Sequence, residues 1–434
     1  HVSSRGASNL APALPYLQDF FTALSNPCDA ESNPTGYVPV CVAENKLVTD
    51  LLQERLTRAN MAEAGFSHTE VYSYNNMLGL DVLRETLAQF YQEHFCSSDV
   101  ITINKNHLAV GAGVMSFLNS LFYALGNDKD AVLIPAPYYA AFDNDIRAYA
   151  GCVPVPVPCE NPAVGPSLEE LEQAKQYAED KLQLNVRFLL LTNPHNPLGV
   201  VYAPDHMKAW IDWARTYSME IVVDEIYALS VFDDTPHTFT SVIQLLNNQL
   251  STDVHVLWGL SKDFGASGFR MGVLYTQNEL LLAALGNLNA FAAVSHPMQR
   301  MMAELLSDTT FVQHFLQTSK QRLQQSYQIC TSVLEQCQIP YTPAQAGMFV
   351  WIDLSSLLLL AEGNSCWEDE QALSQRFVKD ANMVMTPGHC QHASKPGRFR
   401  ICYAYVKPQV LHIGMQRFCK VVERIRQEQQ QQQK

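Results

Sequence analysis

Lys262 is the residue in this sequence best placed to do chemistry. It stands in W-G-L-S-K-D-F-G-A-S-G-F-R-M-G, Trp258 to Gly272, with Gly265, Gly268 and Gly272 after it and Arg270 eight residues on. Glycines spaced in this way let backbone approach a bound group closely. A lysine drawn out of bulk water loses part of its preference for the charged form, and becomes usable as a nucleophile or base. Taken alone, the stretch fits a surface lysine in a turn equally well. The other polar residues of the chain decide between the two.

Three further stretches end predicted strands. In A-V-G-A-G-V-M the chain turns through Gly111 and Gly113 into a helix beginning at Val114. A helix N-terminus offers free N–H groups and a positive dipole end, which suits a phosphate, although an ordinary tight turn has the same pattern. In L-T-N-P-H-N-P-L-G, Leu191 to Gly199, two Asn-Pro pairs make a stiff loop that fixes side-chain direction. In E-I-V-V-D-E-I-Y, Asp224 closes an apolar strand and Tyr227 follows three residues later. A carboxylate there either faces solvent at a helix start or is paired with a cation. One chemistry uses all of these together: pyridoxal phosphate. Lysine forms a Schiff base, aspartate keeps the pyridine nitrogen protonated so that the ring is an electron sink, and tyrosine and asparagine bond the ring hydroxyl. Arginine and the helix N-terminus take the phosphate.

Such residues need a scaffold that brings strand ends together. Apolar runs near 107–111, 131–135, 152–157, 186–192, 220–224, 254–259 and 271–275 alternate with helical patterns at 114–125, 140–150, 167–182 and 204–217. Strands separated by helices predict βαβ units and an α/β fold with a mostly parallel seven-stranded sheet, with its sites at the carboxyl ends of the strands. Earlier helices are expected at about 47–60 and 80–95. Beyond Met271 the chain is mostly helical to Gln338. A strand near 349–352, a helix near 368–381, a strand at 399–404 and a last helix then predict a smaller α+β unit. Gln429 to Gln433 read as a disordered low-complexity tail.

Composition narrows the partners. The 434 residues are 47% hydrophobic with a formal charge of −14, which argues against nucleic acid as a partner. No apolar run is long enough to span a bilayer. Eleven cysteines show neither a C-x-x-C pair nor zinc-ligand spacing, so they read as reduced thiols of a cytosolic protein without a metal site. No signal-peptide pattern opens the sequence, which starts at His1.

With these residues in view, the sequence resembles the aspartate-aminotransferase-like, fold type I pyridoxal-phosphate enzymes. More closely, it resembles the 1-aminocyclopropane-1-carboxylate synthases and their animal synthase-like relatives. V-A-E-N-K, P-A-P-Y-Y, T-N-P-H-N-P-L-G, D-E-I-Y, S-K-D-F-G-A-S-G-F-R-M-G, A-G-M-F-V-W and F-R-I-C-Y-A carry the likeness over nearly the whole chain. It implies Lys262 as Schiff-base lysine and acid/base at Cα, Asp224 at the pyridine nitrogen, and Tyr227 and Asn196 at the ring hydroxyl. Arg270 and Ser261 would lie near the phosphate, with backbone N–H groups around Ala112, Gly113 and Val114. One of Tyr138 and Tyr139, preferably Tyr139, would stack on the ring. Arg400 would clamp a substrate carboxylate bidentately, as a lysine could not. Glu44, in the position that marks the synthase branch, would face a cationic amine or sulfonium group.

The sequence departs from the plant synthases in three places. Gly259 stands where they have serine, Val114 stands where they have threonine, and Tyr74 lies five residues before Gly79. That last spacing is the one general aminotransferases use for a tyrosine reaching the neighbouring subunit's phosphate. The resemblance further implies a homodimer with shared active sites. Residues 1–60 would form an arm and part of a small domain, 61–297 a large cofactor domain, and 298–434 the rest of the small domain. Ring closure of S-adenosylmethionine, transamination or Cβ elimination, and an inactive cofactor fold that serves in binding are the three functions compatible with it.

Overall fold

Seven short apolar runs, each ending in a polar or small residue, assemble into one sheet. The computed structural model describes residues 1–7, 9–10, 14–96, 101–233, 239–358 and 366–432. Strands are numbered along the chain. β1 (Val38–Pro39) stands apart, and β2 (Leu108–Gly111), β3 (Ala131–Ala136), β4 (Val153–Pro158), β5 (Val186–Thr192), β6 (Glu220–Asp224), β7 (Val254–Gly259) and β8 (Gly272–Thr276) form the sheet. Their order is β2-β8-β7-β6-β5-β3-β4. Only β8 opposes its neighbours, pairing antiparallel with both β2 and β7. The central strands are buried throughout, as in V-R-F-L-L-L-T of β5, because helices cover both faces. This is the aspartate-aminotransferase-like α/β architecture that the resemblance implies.

A second, smaller core gathers residues from both ends of the chain. β9 (Tyr341–Thr342), β10 (Phe349–Asp353), β12 (Thr386–Pro387) and β13 (Arg398–Cys402) make a four-stranded sheet, while β11 (Met383–Val384) pairs with β1. Phe20, Val38 and Cys41 pack into this core beside Phe377, Phe418 and Val422. Helix Thr309–Gln336 joins the two cores: Val312 and Phe315 lie in the large one, Leu323 and Cys330 in the small one.

Three expectations need correction. The single helix expected over 47–60 is two, Thr49–Leu56 and Ala59–Phe66. The Thr57 hydroxyl donates to the Gln53 carbonyl, and Arg58 turns to an extended conformation (φ −67°, ψ 144°) that breaks the run. The glutamine run expected to be disordered continues helix Pro408–Gln432, Gln433 lying outside the described residues. Glutamine is a good helix former, and the buried face from Val410 to Ile425 has already nucleated the helix. The cysteines are not all reduced. Cys337, capping one long helix, is disulfide-bonded to Cys419 on the other, with Cα atoms 5.8 Å apart. Two helices packed side by side bring together residues 82 apart in sequence, which spacing along the chain cannot reveal. Among the described residues, no single helix is long and apolar enough to cross a membrane.

Candidate active site

The carboxyl ends of β5, β6 and β7 and the N-terminus of helix Val114–Leu125 open onto one cleft. Val114, Tyr139, Asn196, Asp224, Tyr227, Ser261, Lys262 and Arg270 line it together with Asp145, Thr192 and Ser267. Eight of the residues singled out from sequence are therefore neighbours, although they span 157 positions of the chain, from 114 to 270 inclusive.

Glycines create the space for this convergence. Gly111, Gly272 and Gly259 are register partners across β2, β8 and β7. A Cβ on Gly272 would fall 2.5 Å from the Val114 nitrogen, so only a glycine strand lets the helix start sit directly on the sheet. Gly113 holds φ at +87°, and a Cβ there would lie 2.5 Å from Arg270 Nη2. Arg270 is anchored over this turn by the Ser267 carbonyl at 2.9 Å and the Ala112 carbonyl at 3.4 Å. The expected cradle of N–H groups is narrower than the sequence implied. Ala112 N–H donates to the Ala292 carbonyl and Gly113 N–H to the Gly111 carbonyl. Ser116 N–H also donates inward, to the Gly113 carbonyl at 3.1 Å, which leaves the first-turn N–H groups of Val114 and Met115 for an anion.

Lys262 lies on the short helix Leu260–Asp263 that follows β7. Its neighbour Asp263 is buried and accepts from Ser230 Oγ (2.5 Å), Trp258 Nε1 (2.9 Å) and Leu229 N–H (3.1 Å), which pins this turn in place. Lys262 Nζ donates to the Ala43 carbonyl at 2.5 Å. Removal from water, followed by the nearby Arg400 charge, lowers its ammonium to about 8. Asp224, on the cleft floor, accepts the Ile226 N–H at 3.1 Å, and burial pushes it up to about 7 despite that bond and the charge of Lys262.

Arg400 and Glu44 act on the cleft from behind its lining. Arg400, 1% exposed, donates to Asn196 Oδ1 (2.9 Å), the Cys41 carbonyl (2.6 Å) and Thr386 Oγ1 (3.3 Å), and its Nε has no partner. Asn196 in turn donates Nδ2 to the Tyr227 hydroxyl at 3.4 Å. Glu44 accepts the hydroxyl of Ser267. Tyr139 faces the cleft, whereas Tyr138 stacks on His392 at 4.5 Å and donates to Asp143 at 2.7 Å. Tyr74 is 96% exposed and lies apart from the cleft of its own chain.

Sequence reasoning missed Asp145, Thr192, Ser267 and Asp263. Asp145 is 2% exposed, and burial, with a smaller push from Asp224, raises it to about 7. The one local sign of it in A-F-D-N-D-I is that it shares a helix face with Phe142 and Ile146, the two other buried residues of that short helix.

Comparison with known proteins gives the family and the fold. Residues 42–418 match the family model for aminotransferase class I and II. The chain is 32% identical over 411 residues to 1-aminocyclopropane-1-carboxylate synthase 9 of Arabidopsis thaliana, covering 92% of this chain and 85% of that one. It is 31% identical over 417 residues to the probable inactive 1-aminocyclopropane-1-carboxylate synthase-like protein 2 of Homo sapiens, covering 94% and 71%. Among solved structures, Thermus thermophilus aspartate aminotransferase with maleate superposes with a TM-score of 0.77 at 20% identity, covering 97% of this chain and 99% of that one. The chain belongs to the class I and II aminotransferase family and is a homologue of its 1-aminocyclopropane-1-carboxylate synthases and synthase-like proteins.

Proposed function

We propose that this chain is a pyridoxal-phosphate enzyme acting at Cα of an amino acid. What carries the reading is the meeting of Lys262, Asp224, Arg270 and the Arg400–Asn196–Tyr227 chain at one cleft. One feature fits the cofactor's phosphate and another fits an amino-acid substrate. The helix N-terminus and Arg270 form an anion cradle that a Cβ on Gly113 would fill, and the buried Arg400 Nε lacks an acceptor that a carboxylate can supply. Asp224 would hold the ring nitrogen, Asn196 and Tyr227 the ring hydroxyl, and Tyr139 would pack on the ring. Tyr74, exposed in one chain, would reach the partner's site in a homodimer.

When bound, the cofactor supplies an electron sink for charge developing at Cα. Arg400 orients the substrate carboxylate, with Asn196, Cys41 and Thr386 fixing its guanidinium. Lys262, whose amine reaches half neutrality near pH 8, takes the Cα proton. With S-adenosylmethionine, Cα then bonds to Cγ, the Cγ–S bond breaks, and its electron pair stays on sulfur in methylthioadenosine. Glu44 favours this outcome, because its carboxylate lies within electrostatic range of Lys262 and attracts a sulfonium. If Lys262 instead returns the proton to the cofactor side, the reaction is transamination.

The alternative is a cofactor fold retained for binding. It is supported by the names of the human and mouse relatives, and by the missing hydroxyls at Val114 and Gly259. Purified protein reconstituted with pyridoxal phosphate separates the readings. Methylthioadenosine release from S-adenosylmethionine without a keto-acid acceptor supports ring closure or elimination. Product formed only with the acceptor supports transamination. A colourless protein that cannot be reconstituted supports the binding role. Glu44→Gly is expected to weaken ring closure selectively, and equal loss of all activities counts against the specificity given to Glu44.

A further inference from the structure

The turn Gly388–Gln391, which follows β12, carries a cluster that the proposed reaction does not use. Cys390 Sγ lies 3.3 Å from His389 Nε2. His389 Nδ1 lies 2.9 Å from Glu370 Oε1, and that oxygen also accepts the His389 backbone N–H at 2.9 Å. The second oxygen of Glu370 accepts the Gly397 N–H at 2.6 Å. Glu370 is fully buried, His389 is exposed and Cys390 is half-buried. Sulfur, imidazole and carboxylate therefore stand in series, with the carboxylate buried at one end and the half-buried sulfur at the other.

The order matters chemically. A buried carboxylate holding Nδ1 fixes which way the imidazole points and favours its protonated form. Cys390, then Glu370, raise His389 to about 10, and the buried carboxylate on Nδ1 favours the imidazolium by itself. An imidazolium beside a sulfur is the setting in which a thiol becomes a nucleophile. Tyr16 also faces Cys390, but burial pushes it up to about 12 and it stays neutral. Most other free thiols are buried, with Cys152 and Cys159 pushed up to about 12 by desolvation. Among the described residues, no other free thiol has a histidine ring within hydrogen-bonding distance.

We propose that Cys390 is a modification site, a nucleophilic thiol that His389 and Glu370 prime for exchange with low-molecular-weight disulfides. In the exchange, His389 holds the thiol proton while Sγ attacks one sulfur of the disulfide. A bond forms between Sγ and that sulfur as the original S–S bond breaks. The electron pair leaves on the second sulfur, which takes the proton from His389 and departs as a thiol. Cys390 is oxidised to a mixed disulfide, and half of the incoming disulfide is reduced.

The test uses the whole chain with oxidised glutathione at pH 6.5, followed by peptide mass mapping of every cysteine. Cys366, which is exposed, serves as an internal reference. Cys390 is expected to acquire glutathione about tenfold faster than Cys366, with the gap shrinking by pH 9 as ordinary thiols ionise. His389→Gln is expected to slow Cys390 by about tenfold at pH 6.5 while leaving Cys366 unchanged. His389→Gln keeps a donor within reach of the buried Glu370 carboxylate, so this variant is expected to fold, and it stays informative even if Glu370→Gln does not. A Cys390 rate no faster than that of Cys366, or one unaffected by His389→Gln, overturns the proposal.

Discussion

Asn196 Oδ1 accepts from Arg400 at 2.9 Å while Asn196 Nδ2 donates to the Tyr227 hydroxyl at 3.4 Å. One amide thus joins a guanidinium at the small sheet to a phenol beyond β6, and the two bonds fix which way it faces. Asn196→Ala would leave Arg400 Nη1 buried without that acceptor. Hydrogen bonds to charged groups contribute roughly 1.5–3 kcal/mol, so amino-acid affinity should fall about tenfold or more. Asn196→Asp should weaken binding too, because its charge would compete with the substrate carboxylate for Arg400. Spectral titration with amino acids checks both, and unchanged affinity in both variants would show that the amide does not position Arg400.

Lys262 is lowered to about 8 by burial and then by Arg400. Its amine captures pyridoxal phosphate only when neutral, so the capture rate should rise with pH through a midpoint near 8, not near the ordinary lysine value of about 10.4. Arg400→Gln removes a nearby positive charge and should move that midpoint upward. Lys262→Ala should abolish the visible absorbance acquired on reconstitution. Stopped-flow absorbance across pH 6.5 to 9.5 measures all three, and a midpoint that Arg400→Gln leaves in place would contradict the electrostatic coupling.

Gly259 stands where the plant synthases have serine, and its surroundings leave no room for that side chain. A Cβ there would lie 2.7 Å from the Met271 carbonyl and 3.1 Å from Gly272 Cα, both backbone atoms that cannot swing aside. Gly259→Ser should therefore fail to tighten cofactor binding. It should also destabilise the fold by roughly 1–3 kcal/mol, the usual penalty for overpacking. Thermal melting with and without pyridoxal phosphate checks this, and a tighter, equally stable serine variant would restore the simpler reading.

Much of this architecture was legible because its signals are local. Each strand of the large sheet is a short apolar run with a turn after it, and the chemistry sits at those run ends, as Asp224 and Lys262 do. What was hidden depends on tertiary placement. Asp145 looks like an ordinary acid in a short helix until the fold turns it toward Asp224, and Ser267 gains meaning only beside Glu44. The N–H groups of Ala112 and Gly113 were assigned to a ligand because sequence does not show the carbonyls of Ala292 and Gly111 that accept from them. The Cys337–Cys419 bond was missed for the same reason, since only the packing of two helices brings the sulfurs together.

Asp145 and Asp224 give the cofactor-free chain a characteristic dependence on pH. Burial raises both to about 7, while an unfolded aspartate titrates near 3.9. The folded state therefore holds more protons between these values. The stability that this contributes is complete below the unfolded pKa and is lost as pH rises through the folded one. Lys262 opposes the trend only above about 8, where its lowered folded value lets stability recover as the unfolded lysine deprotonates. Buried histidines such as His195, lowered to about 3, add a small opposing gain that is complete by about pH 7.5, because an unfolded histidine titrates near 6.5. Between pH 6.5 and 8 the melting temperature of the cofactor-free protein should accordingly fall. Glu225, raised to about 8 by burial, and His389, raised to about 10, steepen the same decline, so Asp145→Asn, which removes one acid and keeps the shape, should flatten it only in part, by on the order of 1 kcal/mol across that window. Calorimetry at half-unit pH steps reads the slope directly. An identical slope in the variant would mean that Asp145 does not retain its proton beside Asp224.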